Sequence, residues 1–152
     1  MSDNKCPLKI AIGSDHAGFA LKQELAGALR EDGYDITDLG THSTDSVDYP
    51  DIAVNVASAV SKGEFDKAIL ICGTGIGITI AANKIKGIRA AATSDVYSAK
   101  MARMHNDANI IGMGARVVGL GLAQEIAKAF LDTDFEAGSR HEKRVNKINA
   151  LD

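Results

Sequence analysis

The chain has 152 residues, of which 45% are hydrophobic and 24% are charged, with 17 Lys and Arg against 20 Asp and Glu. This length predicts a single domain covering residues 1–152, and the composition excludes a disordered chain, a fibrous repeat and a disulfide scaffold. The formal net charge of −3 argues against a nucleic-acid partner, because nucleic-acid-binding proteins carry a basic surface.

The two cysteines and the first residues of the chain bear on its location. Cys6 and Cys72 do not have the dense, even spacing of a disulfide framework, which favours a reducing compartment. The opening MSDNKCPLK lacks the apolar segment of a signal peptide, and no apolar stretch is long enough to span a bilayer. We therefore expect a cytoplasmic protein without a membrane partner.

Apolar runs alternate with helical patterns along the chain. The predicted elements, in order, are a strand at 8–12, a helix from Phe19 to before Gly33, a strand at 34–39, a helix at 52–60, a strand at 68–72, a helix at 76–85, a strand at 88–93, a helix at 94–105, a strand at 108–113, a helix at 119–131 and a last helix at 139–151. This alternation is typical of right-handed βαβ units.

The predicted fold is therefore α/β, a Rossmann-like three-layer sandwich followed by a C-terminal helix. Five parallel strands in the flavodoxin-like order 2-1-3-4-5 place a switch point between strands 1 and 3, where ligands bind at the carboxyl ends of the strands.

Two charged segments stand out. The last helix places Arg140, Arg144 and Lys147 on one face, and such a basic face needs an anion. The segment Glu31–Asp51 has seven acidic residues and no Lys or Arg, which is typical of a solvated acidic surface.

The third strand ends in a glycine-rich loop that opens a helix and contains one thiol. The loop reads Cys72-Gly73-Thr74-Gly75-Ile76-Gly77, and its successive amides can hold an anion, either a ligand oxygen or the thiolate itself. The alternative is that Cys72 is merely a small buried hydrophobic residue.

The same loop does not match the known nucleotide-binding signatures. Ile78 stands where a dinucleotide fingerprint requires glycine, and Ile78-Thr79 replaces the Lys-Ser/Thr of a phosphate-binding Walker loop. NAD and ATP are therefore not expected.

Further polar groups follow other elements. Asp15 and His16 follow the first strand, His105 and Asn106 end the fourth helix, and Arg116 follows the fifth strand. Asp15 could instead be the N-cap of the first helix, and His105 could be a C-terminal cap. Tyr49, next to Pro50 at the start of the second helix, could pack or could bond a sugar hydroxyl.

These groups fit proton abstraction beside a carbonyl. A base removes the proton, oriented donors stabilise the enediolate, and cations hold a remote phosphate, as aldose–ketose isomerisation requires. Four dispersed histidines and one candidate cysteine make a zinc site improbable. No metal and no cofactor are expected.

The motifs resemble those of the type B ribose-5-phosphate isomerases, a family that includes the galactose-6-phosphate isomerase subunits. The similarity extends from Ile10 to about Ile148 and leaves residues 1–7 as an N-terminal extension. It is carried by Gly13–Phe19, Asp48-Tyr49-Pro50, Ile71–Gly77, His105–Asn109, Gly114–Gly119, and Arg140-His141 with Arg144.

The resemblance implies a role for each matching residue. Cys72 is expected to be the base that moves a proton between C1 and C2, with Thr74 assisting and the amides of Gly73, Gly75, Ile76 and Gly77 holding the enediolate. Asp15 and His105 are expected to open the sugar ring, and Asn106 and Tyr49 to contact hydroxyls. The phosphate is assigned to His16, Arg116, Arg140 and Arg144.

The resemblance also implies a homodimer, or a tetramer of paired dimers, in which each active site uses groups from two chains. The expected reaction interconverts ribose 5-phosphate and ribulose 5-phosphate. Allose 6-phosphate, galactose 6-phosphate or a tetrose phosphate are alternative substrates, because one additional hydroxymethyl group changes selectivity by only ~1–3 kcal/mol. A sugar-phosphate-binding module without turnover, and a flavin or phospho-acceptor domain, are the alternatives from other classes.

Overall fold

The computed structural model describes residues 7–152. Of the N-terminal extension at 1–7, only Pro7 is therefore described, and Cys6 lies outside the described residues. The strands are β1 (Lys9–Ser14), β2 (Asp35–Asp38), β3 (Lys67–Cys72), β4 (Ala90–Ala92) and β5 (Ile110–Gly114). The helices are α1 (Phe19–Glu31), α2 (Tyr49–Ser61), α3 (Ile76–Ala82), α4 (Val96–Asn106), α5 (Leu120–Asp132) and α6 (Arg140–Asn149).

The five strands form one parallel sheet, which confirms the α/β fold class, but its order is β2-β1-β3-β5-β4. The predicted order 2-1-3-4-5 was wrong in its last two strands. All five residues of β5 are buried, whereas the three alanines of β4 are partly or fully exposed. An interior parallel strand is covered on both faces, so the more apolar β5 takes the interior position and the short β4 takes the edge.

Helices cover both faces of the sheet and divide the core into two layers. Helices α1, α4 and α5 pack on one face, in an apolar cluster that includes Leu25, Ile71 and Phe130. Helices α2 and α3 pack on the other face, in a cluster that includes Leu70 and Cys72. The side chain of Cys72 therefore belongs to the α2/α3 face.

Helix α3 ends at Ala82, three residues before its predicted end at 85. Asn83 explains this difference, because its side chain donates to the carbonyl of Ala90 at 2.9 Å and accepts from the amide of Ala90 at 2.7 Å. These two hydrogen bonds tie the end of α3 to the edge strand β4. Across residues 7–152, no helix combines the length and the apolar character needed to cross a membrane.

Candidate active site

Cys72 is the last residue of β3, and its side chain is only 4% exposed. The N–H of Gly75 donates to Cys72 Sγ at 3.1 Å. An amide donor stabilises a thiolate more than a neutral thiol, because hydrogen bonds to a charged acceptor are stronger. The thiol is thus buried, as the alternative interpretation requires, but it also has an oriented donor.

Glycines allow the loop after β3 to lie directly on the end of β5. Gly75 has φ +80, and a Cβ there would lie 2.7 Å from the carbonyl carbon of Met113. A Cβ on Gly114 would lie 2.7 Å from the backbone of Thr74. Because neither approach leaves room for a side chain, the backbone itself fixes the amide that faces the thiol.

The same two loops are joined by backbone hydrogen bonds that place Arg116 beside the thiol. The amide of Ala115 donates to the carbonyl of Cys72 at 2.8 Å, and the amide of Arg116 donates to the carbonyl of Gly73 at 3.0 Å. A Cβ on Gly73 would lie 3.1 Å from Arg116 Nη1. The exposed hydroxyl of Thr74 accepts a hydrogen bond from the Ile76 amide at 3.2 Å.

Asp15 lies in the adjacent loop, between β1 and α1, and is 6% exposed. Its amide donates to the carbonyl of Ile71 at 3.2 Å, and its carboxylate accepts from the amide of Gly18 at 3.1 Å. The N-cap of α1 is Gly18, without a side-chain cap, so the alternative interpretation of Asp15 as N-cap was wrong. The carboxylate instead orders the loop that borders the Cys72 loop.

Tyr49 and His16 complete this end of the sheet. Tyr49 is the first residue of α2, and a Cβ on Gly77 would lie 2.6 Å from its Cζ, so the phenol ring lies against the loop that carries Cys72. His16 Nδ1 accepts from the amide of Val47 at 3.2 Å. The acceptor role of Nδ1 leaves Nε2 to carry a proton.

A cleft at the carboxyl ends of the strands brings most of the predicted site residues together. It measures about 370 Å³ and is lined by Asp15, Tyr49, Cys72, Gly73, Thr74, Ile76, Gly77 and Arg116. A neighbouring cleft of about 470 Å³ shares Asp15 and Tyr49 with it and adds His16 and residues 46–51. Small-molecule sites begin at roughly 300 Å³, so the first cleft has the size for a small substrate.

Four predicted site residues lie elsewhere, at the amino ends of the strands. His105 is in the last turn of α4, which leads into β5. Its ring stacks on that of His141 in α6, with centroids 4.0 Å apart and an interplanar angle of 16°. Asn106 follows His105, and Arg140 and Arg144 project from α6 with Lys143 and Lys147 around a cleft of about 340 Å³. Strands of five or six residues separate the two ends of the sheet by about 15–20 Å.

His141 is a site candidate that belongs to the motif Arg140-His141 but to which the sequence analysis assigned no role. It is 8% exposed, and its Nε2 lies 3.9 Å from a carboxylate oxygen of Glu136. Burial lowers the pKa of His141, and the positive charges of His105 and Arg140 lower it further. The signal available in the sequence was the position of His141 between the two arginines of the basic face.

His105, Glu136 and His141 also offer ligand atoms within 4.8 Å of one another. Two of the histidines expected to be dispersed are thus in contact. Their rings are nearly parallel, so a cation bound in the plane of one ring would lie well outside the plane of the other, contrary to what imidazole coordination requires. The present arrangement is therefore a ring stack.

A buried ion pair that the sequence analysis missed supports the loop between β1 and α1, which we call the β1 loop. Lys22 is 0% exposed and its Nζ lies 2.5 Å from Asp38 Oδ2. The other Asp38 oxygen accepts from the amide of Gly40 at 2.8 Å, and the carbonyl of Gly40 accepts from the amide of Ser14 at 2.7 Å. The pair thereby fixes the residue immediately before Asp15.

Comparison with known proteins agrees with this architecture. The sequence model described as "Ribose/Galactose Isomerase" matches residues 10–148. The chain is 52% identical to ribose-5-phosphate isomerase B of Escherichia coli, covering 95% of this chain and 96% of that protein. It is 45% identical to D-erythrulose-4-phosphate isomerase 2 of Mycolicibacterium smegmatis, covering 95% and 97%.

A solved structure of ribose-5-phosphate isomerase B from Clostridium thermocellum superposes with a TM-score of 0.92. It is 54% identical and covers 95% of this chain and 97% of its own. The family match spans nearly the whole chain, and these relatives are also covered over nearly their whole length. The predicted resemblance is thus confirmed, and the chain belongs to the Ribose/Galactose Isomerase family of sugar-isomerising enzymes.

Proposed function

We propose that this enzyme interconverts ribose 5-phosphate and ribulose 5-phosphate through an enediolate, with Cys72 as the base. The observation that carries the proposal is the Cys72 thiol on the cleft, with its Sγ 3.1 Å from the Gly75 amide nitrogen. The names of the relatives from Escherichia coli and Clostridium thermocellum support this substrate.

The proton transfer follows from the groups around the cleft. The thiolate of Cys72 takes the proton from C2 of the open-chain aldose, and the electron pair of that C–H bond forms the enediolate double bond. The amides of Gly73, Gly75, Ile76 and Gly77 stabilise the negative charge that develops on the sugar oxygens, with the Thr74 hydroxyl beside them. Return of the proton to C1, together with transfer of the C2 hydroxyl proton to the C1 oxygen, gives the ketose. No net oxidation or reduction occurs, so the reaction requires no redox cofactor.

Ring opening and phosphate binding are assigned to the remaining residues. Asp15 and His105 move protons to and from the ring oxygen and the anomeric hydroxyl, while Tyr49 and Asn106 bond sugar hydroxyls. His16, Arg116, Arg140 and Arg144 hold the phosphate, for which guanidinium groups give charge-assisted, bidentate hydrogen bonds.

These assignments require two chains for each site. Within one chain, Cys72 and the pair Arg140 and Arg144 are at opposite ends of the sheet, about 15–20 Å apart. A pentose phosphate is too short to touch both, so a second copy must bring its α6 and the end of its α4 to the Cys72 cleft. We infer a homodimer with shared active sites, which could pair further into a tetramer, and a cytoplasmic location.

The names of the relatives also favour a second candidate substrate. The Mycolicibacterium smegmatis relative is a D-erythrulose-4-phosphate isomerase that matches over nearly the full length of both chains, and the same proton transfer would serve a tetrose phosphate. Allose 6-phosphate and galactose 6-phosphate use the same chemistry.

The test is proton NMR in D2O without added metal. Wild type, Cys72→Ala and the control Cys6→Ala each receive ribose 5-phosphate, allose 6-phosphate, galactose 6-phosphate and erythrose 4-phosphate in turn. We expect wild type and Cys6→Ala to convert ribose 5-phosphate fastest, with deuterium incorporated next to the carbonyl. Cys72→Ala should be slower by about 10²–10⁴-fold. Full activity in Cys72→Ala would overturn the assignment of the base.

A further inference from the structure

The structure divides the acidic segment Glu31–Asp51 into paired and unpaired carboxylates. Asp32 forms an ion pair with Lys128 at 2.7 Å, and Asp38 is paired with the buried Lys22. Asp45, Asp48 and Asp51 are exposed between β2 and the first turn of α2. In the part of the chain that the structure describes, none of these three takes part in an ion pair. We call residues 45–51 the acidic loop.

The acidic loop borders the candidate active site. Residues 46–51 line the cleft that also contains Asp15 and His16. The amide of Val47 donates to His16 Nδ1 at 3.2 Å, which ties the middle of the loop to the site. A negative surface thus flanks a cleft whose proposed substrate is also an anion. Cationic side chains that bind this substrate must therefore come close to the acidic loop when they reach the cleft.

Helix α6 has the opposite character. His141 and Val145 are buried, while Arg140, Lys143, Arg144 and Lys147 are exposed around one cleft. Like charges at i, i+4 repel each other on a helix, so an anionic partner would stabilise this arrangement. Two arginines suffice for a phosphate dianion, which leaves Lys143 and Lys147 without a counterion among residues 7–152.

We propose that Lys143 and Lys147 dock α6 onto the acidic loop of a second copy of this chain, and that this contact delivers Arg140 and Arg144 to the partner's Cys72 cleft. The proposal rests on the proposed function, because that function places the two arginines and Cys72 on one substrate. In a twofold-symmetric dimer the contact occurs twice, since each chain contributes one α6 and one acidic loop.

Electrostatic complementarity of this kind acts mainly on association and on specificity. Opposite charges around an interface raise the association rate and make it fall with ionic strength, whereas like charges suppress association. Dimer formation should therefore weaken as salt is raised, whereas screening of the net negative charge of the two copies would strengthen it.

Charge reversal on each surface tests the contact. The variants are Lys143→Glu/Lys147→Glu, Asp45→Lys/Asp51→Lys and the control Lys62→Glu/Lys100→Glu. The control reverses two exposed lysines, one directly after α2 and one in α4. The dimer dissociation constant is measured by sedimentation at low and high salt. We expect each of the first two variants to raise it at least about tenfold at low salt, because like charges then face each other. The control should remain near wild type.

Mixing the two interface variants supplies the decisive result. In a mixed dimer both contacts join opposite charges, so the mixture should associate nearly as tightly as wild type and regain isomerase activity. The surface assignment is overturned if both variants dissociate no more than the control, if the mixture does not recover, or if the wild type is a monomer.

The proposed function fails on a different measurement. If Cys72→Ala keeps full activity, the catalytic assignment is wrong whatever the charge variants do. If Cys72→Ala is inactive while charge reversal leaves the dissociation constant unchanged, only the docking surface is wrong.

Discussion

The two ends of the sheet are built in different ways. At the carboxyl end, buried residues and backbone hydrogen bonds fix Cys72, Asp15 and the loop amides. At the amino end, Arg140 and Arg144 are exposed cations on a surface helix. One chain therefore fixes the groups around Cys72 by its own packing, whereas the arginines proposed to bind the phosphate lie on the surface at the other end of the sheet. Substitutions at either end test this distinction.

The largest expected effect is on the buried ion pair behind the β1 loop. Lys22→Met leaves Asp38 with an uncompensated charge, which should lower the free energy of unfolding by about 3–5 kcal/mol. Lys128→Met is the matched control, because it removes a more exposed pair with Asp32, and solvent screening makes such a pair contribute little to stability. Chemical denaturation measures both. Equal losses in the two variants would show that the β1 loop does not depend on the buried pair.

A slightly smaller effect is expected at the amide that faces the thiol. Gly75→Ala places a Cβ 2.7 Å from the backbone of Met113 at a residue with φ +80, so the loop must shift. Loss of one oriented donor lowers kcat by about 10²–10³-fold. The control is Gly27→Ala, where a Cβ meets nothing within 4 Å. If the folded Gly75→Ala enzyme keeps wild-type kcat, the Gly75 amide does not support Cys72 as the base.

At the amino end the expected loss is in substrate binding. Arg144→Ala removes one charge-assisted phosphate contact, worth about 1.5–3 kcal/mol in kcat/KM. Lys100→Ala, an exposed cation on α4, is the control and should retain wild-type kcat/KM. Steady-state kinetics distinguishes the two, and an unchanged kcat/KM in Arg144→Ala contradicts the phosphate assignment.

A separate effect, on stability and not on catalysis, is a pH dependence at a buried lysine of the amino end. Lys67 Nζ donates to the carbonyls of Leu131 at 3.1 Å and Phe130 at 3.4 Å, at the end of α5. Burial lowers the pKa of Lys67 from 10.5 to about 8, and the positive charge of Arg103 contributes to this shift. Between these values the unfolded chain retains a proton that the folded chain has lost, so stability should rise with pH.

The measurement is the free energy of unfolding at several pH values from 7.5 to 10.5 for wild type and Lys67→Met. The difference between the two curves isolates Lys67 from groups such as Tyr34, whose raised pKa acts in the opposite direction. A constant difference across this range would contradict the assigned shift.

The alternation of strand and helix was predictable from the sequence, but the strand order was not. Hydrophobic periodicity identifies each element, whereas the order depends on which strand is covered on both faces. Ile110–Gly114 is fully buried and Ala90–Ala92 is not. Comparing the apolar character of these two segments would have indicated that β4 takes the edge.

The Cys72 loop was predictable because its residues are contiguous, and local sequence determines its geometry. The pair Lys22–Asp38 was missed because the two residues are distant in sequence and both are charged. Its signal was spacing, since Lys22 shares a helical stripe with the buried Ala26 and Leu29. His105 and Cys72 lie at opposite ends of the parallel sheet because of their places in the chain. His105 ends α4 just before β5 begins, whereas Cys72 is the last residue of β3.

Complementation between two inactive variants tests the shared site most directly. Cys72→Ala and Arg140→Ala/Arg144→Ala are mixed, allowed to exchange subunits, and assayed with ribose 5-phosphate. A mixed dimer has one site with an intact Cys72 and intact arginines, so random exchange should restore about one quarter of wild-type activity. If the mixture is no more active than the two variants alone, Cys72 and the arginines do not act from different chains, and the shared site is contradicted.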